Sequence, residues 1–107
     1  MRRMASNQIG EFDLSNRAEE LTVRALKLRR RGELRRASMT LREATALDES
    51  NAARWMLYAN LLIELGQRGD AERAMKQSLF LREQRGEKAK ANVIRRLLLN
   101  LAGCAGG

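Results

Sequence analysis

Nine positions of this chain recur at a spacing of 34 residues. Ala18, Leu21, Ala25, Leu28, Gly32, Ala37, Leu41, Ala44 and Leu47 are answered by Ala52, Trp55, Ala59, Leu62, Gly66, Ala71, Met75, Ser78 and Leu81. A period of this length holds one pair of helices, and in-phase pairs bury their apolar faces by stacking on one another. The echo therefore predicts an all-α chain built from helical hairpins. Proline is absent from all 107 residues, so nothing forces a break inside a long helix.

The apolar spacing predicts five helices. Residues 1–15 are polar and aperiodic and read as a flexible arm, with Ile9, Phe12 and Leu14 able to pin its end. Asn16 followed by Glu19 resembles a capping box and marks the first start. Helix one then covers about 17–31 and ends at Gly32, and helix two covers about 34–47. Residues 48–51, Asp-Glu-Ser-Asn, form a polar break with two candidate caps. Helix three covers about 52–65 and ends at Gly66, and helix four runs from Gly69 or Asp70 to about 84. After Gly86, helix five covers about 87–102 with a broad stripe of Val93, Ile94, Leu97, Leu98 and Leu101. The helical domain is thus 16–103, and residues 104–107 are a flexible tail.

Composition removes several classes of function. Histidine is absent, which takes away the commonest general base and metal ligand. One cysteine, Cys104, allows neither an internal disulfide nor a structural zinc site. No phosphate-binding Gly-rich loop occurs, and the carboxylates are scattered beside arginines, as in surface helix pairs. These absences point away from an enzyme and give no cofactor a place. No stretch approaches the roughly 20 apolar residues of a membrane span, and no apolar run follows Arg2 and Arg3 as in a secretory signal. A cytoplasmic protein is expected. The net charge of +8 is uneven: +5 over residues 17–47, zero over 48–85 and +3 over 86–107.

Trp55, Ala59, Leu62, Gly66, Ala71 and Met75 together resemble the tetratricopeptide repeat. Leu21, Ala25, Leu28, Gly32, Ala37 and Leu41 repeat the pattern with Leu in the Trp place. Small residues at Ala25, Ala37, Ala59 and Ala71 let neighbouring helices approach closely. Glu49 and Glu83 stand where such repeats commonly close with proline. The resemblance implies two repeats, 18–51 and 52–85, with helix five as a capping helix. It also implies a right-handed α-solenoid fragment. A plain helical bundle is the alternative. Two repeats fall short of the roughly three needed for independent stability, a deficit that helix five, a partner chain or a second copy would make up.

In this family the first helix of each pair lines a concave groove. That places Thr22, Val23, Leu26, Arg29 and Arg30 of helix one on the groove wall. From helix three come Met56, Leu57, Asn60, Ile63 and Glu64. Lys90, with Ile94 and Leu97, would close the far side. The implied function is a protein–protein adaptor or scaffold that holds a protein segment, acidic or amphipathic, in an apolar groove with a basic rim. Helix five or the arm covering those positions is the opposing reading. Some relatives grip a peptide carboxylate with lysine and asparagine, but Thr22, Leu26 and Leu57 occupy those places here. The other readings are self-association through helix five, where Leu98 and Leu99 add apolar area, and a nucleic-acid accessory role.

The run Arg29-Arg30-Arg31-Gly32-Glu33-Leu34-Arg35-Arg36 is the densest charge cluster. It reads as a solvated turn, as a contact for an acidic protein, or as a phosphate contact. Base stacking would want aromatics, and the chain has only Phe12, Trp55, Tyr58 and Phe80, so nucleic acid ranks below protein. Trp55 and Tyr58 read as core packing rather than a ligand box.

Overall fold

A computed structural model of the chain describes the backbone of residues 2–106 and the side chains of residues 13–103. Ile9, Phe12 and Cys104, singled out in the sequence, lie outside the described side chains. The architecture is five α-helices: α1 (Arg2–Arg30), α2 (Leu34–Leu47), α3 (Ala52–Glu64), α4 (Arg68–Gln84) and α5 (Lys88–Gly106). No strand occurs among the described residues.

Three helix ends differ from the sequence expectation. α1 begins at Arg2, and Asn16 is an interior residue of it, not a cap. Between those positions the chain carries no proline that would stop a helix. At the other end α5 continues through Gly103 to Gly106, four residues past the expected stop, because a single glycine weakens a helix without ending it. α4 begins at Arg68, a residue before the expected Gly69.

One joint is used three times. Gly32, Gly66 and Gly86 take φ values of +81°, +78° and +71°. Each donates its amide to a carbonyl three residues back: Arg29, Ile63 and Glu83, at 2.9–3.0 Å. The next residue reaches a carbonyl five back: Glu33 to Leu28 at 3.0 Å, Gln67 to Leu62 at 2.8 Å, and Glu87 to Arg82 at 2.9 Å. This double closure satisfies orphan carbonyls at the helix end and needs left-handed backbone at its centre, which glycine adopts without a Cβ clash. The following helix then starts at once. Ala37, Ala71 and Ala91 donate to the carbonyls of Glu33, Gln67 and Glu87 at 2.9–3.0 Å. All three alanines are buried. The 34-residue echo contains the first two joints. The third follows after only 20 residues, with the same glycine-to-alanine offset.

The chain divides into two compact units, Met1–Glu49 and Ser50–Gly107. In the first, α1 packs on α2. Ala18, Leu21 and Ala44 form a buried cluster with Leu47 against it. Ala25, Leu28, Ala37 and Leu41 are also buried. In the second, α4 packs on both α3 and α5. Its core is Ala59, Leu62, Ala71, Ala74, Met75 and Ile94, with Trp55, Met56, Tyr58, Leu79, Leu98 and Leu101 packed against it. Ser78 donates its hydroxyl to the Ala52 carbonyl at 2.8 Å and so ties the middle of α4 to the start of α3. The Asn51 side chain accepts the Arg54 amide at 3.0 Å, which resolves the choice of cap for α3.

Candidate partner-binding surfaces

The expected groove positions differ in exposure along α1 and α3. On α1, Val23 is 45% exposed, Leu26 is half-buried, and Arg29 and Arg30 are exposed. Val23, Leu26 and Arg30 follow i, i+3, i+7 spacing and so share a face. Thr22 is not on that surface: it is buried and donates its hydroxyl to the Ala18 carbonyl at 2.7 Å. Arg29 is not free of interactions. On α3, Ile63 is 38% exposed and Asn60 is exposed, while Leu57 is half-buried. Met56 was expected on the groove wall. It is half-buried and packs against the core of its unit, as do Trp55 and Tyr58. The two rings lie 6.4 Å apart, tilted by 56°, and pack on that core. Lys90 is exposed on α5 and pairs with Glu87 at 3.3 Å.

The α5 stripe is split by the packing. Ile94 is buried, and Leu98 and Leu101 pack on the core. Val93 and Leu97 are left exposed on one flank, and Leu99 is 72% exposed on the other. Phe80 of α4 is exposed as well.

Charged groups at the last joint are held in pairs. Arg82 and Lys90 both approach Glu87 Oε2, at 3.1 and 3.3 Å. The Lys90 hydrogen bond, helped by Arg82, holds the Glu87 carboxyl below its ordinary value of 4.5, against a smaller upward push from desolvation. Arg95 pairs with Glu83 and with Asn92, beside a depression of about 340 Å³ lined also by Gly86, Lys88 and Ala91. Among the described residues no cluster of His, Cys, Asp or Glu could hold a metal ion. No helix among them is long and apolar enough to cross a membrane.

Two features escaped the sequence reading. Arg54, in the first turn of α3, is only 3% exposed. The other is the outer face of α2, opposite its buried Ala37, Leu41 and Ala44, where Met39 is 70% exposed between arginines. The signal was present as Arg35, Met39, Arg42 and Ala46 at i, i+4, i+7, i+11 spacing, which puts all four on one side of a helix. No protein-family model matches this chain, and no curated protein matches it.

Proposed function

We propose that the chain is a non-catalytic cytoplasmic adaptor that holds a segment of another protein, with its hairpins stacked in the tetratricopeptide manner. The observation that carries this reading is exposed apolar side chains where the resemblance puts a groove: Val23 on α1 and Ile63 on α3, beside Arg30 and Asn60. Apolar side chains flanked by polar ones on solvated helix faces mark contact sites for other polypeptides. The stacking reading draws support from the glycine joint recurring with buried alanine five residues on.

The test is capture from the native extract with the wild-type chain and with a Val23→Asp, Ile63→Asp double variant, followed by mass spectrometry. Both positions are solvated, so the variant should keep its helical circular-dichroism signal. A defined set of proteins should be retained by the wild type and lost, by about tenfold or more, with the variant. Equal capture by the two chains overturns the reading.

A second reading is self-association through α5. The exposed Val93–Leu97 flank favours it. Leu98 is half-buried against the core, and Leu99 is exposed on the other flank.

A further inference from the structure

The stretch from Arg24 to Arg42 carries eight basic residues and one acidic residue, Glu33. Glu33 is spent on Arg36, whose Nη1 donates to its carboxylate at 2.6 Å. Arg35 and Arg42 have no ion-pair partner among the described residues. They flank Met39 on the solvent side of α2. A shallow depression of about 560 Å³ runs along this face, lined by Arg36, Met39, Thr40, Arg42, Glu43 and Ala46.

We infer that the outer face of α2 is a docking surface for an acidic amphipathic helix of another protein. Charge complementarity supplies the first half of the argument. Two guanidiniums without carboxylate partners, one on each side of an apolar centre, fit carboxylates one helical turn either side of an apolar side chain. Met39 supplies the second half. Its unbranched thioether adapts to varied apolar partners, and at this exposure it gives a bound helix something to cover. Nucleic acid fits less well. Residues 13–49 contain no aromatic side chain on which a base could stack. The proposal uses none of the α1 and α3 positions assigned above.

The test uses the full chain and three fluorescent probes at several salt concentrations. One is a helical peptide with leucine at i, i+4 and i+7 flanked by glutamates, one is its scrambled version, and one is a single-stranded oligonucleotide of equal charge. The helical peptide should bind at least about tenfold tighter than either of the others near physiological salt. Met39→Ser should weaken it about tenfold, and Arg35→Glu with Arg42→Glu should abolish it and flatten its salt dependence. The Val23→Asp, Ile63→Asp variant should bind the peptide as the wild type does, which separates this surface from the groove. Equal binding of helical and scrambled peptide, tighter binding of the oligonucleotide, or no effect of Met39→Ser overturns the proposal.

Discussion

Gly66 shows what a single residue decides in this chain. Its φ of +78° lies where a side chain is strained, yet a Cβ built there would meet nothing within 4 Å. The cost of Gly66→Ala is therefore backbone conformation alone, on the order of 1–2 kcal/mol. Asn tolerates the left-handed region better, so Gly66→Asn should cost less. Urea titration of the three chains checks the order: wild type, then Asn, then Ala. Equal stability of all three would remove the joint's dependence on glycine. The glycines and buried alanines were legible in the sequence because each answers to a local rule, a turn or a close approach. Arg54 was not. A cation in an amphipathic pattern counts as solvated by default, and only packing from other parts of the chain makes it 3% exposed. No buried side-chain nitrogen or oxygen among the described residues lacks a hydrogen-bond partner, so its burial comes with its donors satisfied.

At the level of elements, the joint between α4 and α5 adds a charged clasp to the shared hydrogen-bond closure. Glu87 sits between Arg82 and Lys90. Folding lowers its carboxyl below the ordinary value of 4.5, so the folded chain resists protonating it. The stabilisation is complete above the ordinary carboxylate range and fades as pH falls through the folded-state value. Glu87→Gln should lower the melting temperature at neutral pH and leave it close to wild type in acid, where the wild-type carboxyl is protonated too. Thermal melts of both chains from about pH 2 to pH 7 check this, and a pH-independent gap would refute it. Helix existence and most inward positions followed from apolar spacing, since α1 to α4 bury the helical positions of the echo except Leu47 and Trp55, which are half-buried. The phase of α5 did not. Its stripe of five apolar residues is wider than one buried face, so the sequence alone could not say that Ile94, Leu98 and Leu101 turn in while Val93 and Leu97 stay out. The third joint held the clue, because Ala91 takes the place of Ala37 and Ala71.

For the molecule as a whole, surface chemistry is more informative than the core. Its positive excess is almost all arginine, 17 against 4 lysines, and it has no histidine. The protein's charge is therefore nearly constant across the physiological pH range, and salt is the variable to which its contacts should respond. The self-association reading rests on the exposed Val93–Leu97 flank. On that reading sedimentation should shift with concentration in the wild type and not in Val93→Glu, and a wild-type monomer at high micromolar concentration removes it. The joints carry one more consequence. An α-helix rotates about 100° for each residue. One residue inserted between Gly66 and Ala71 would swing Ala71 and Met75 away from the side they now fill, and the other two joints are equally intolerant. The polar stretch 48–51 has no such ruler in it. Natural variants of this chain that differ in length should carry their insertions there.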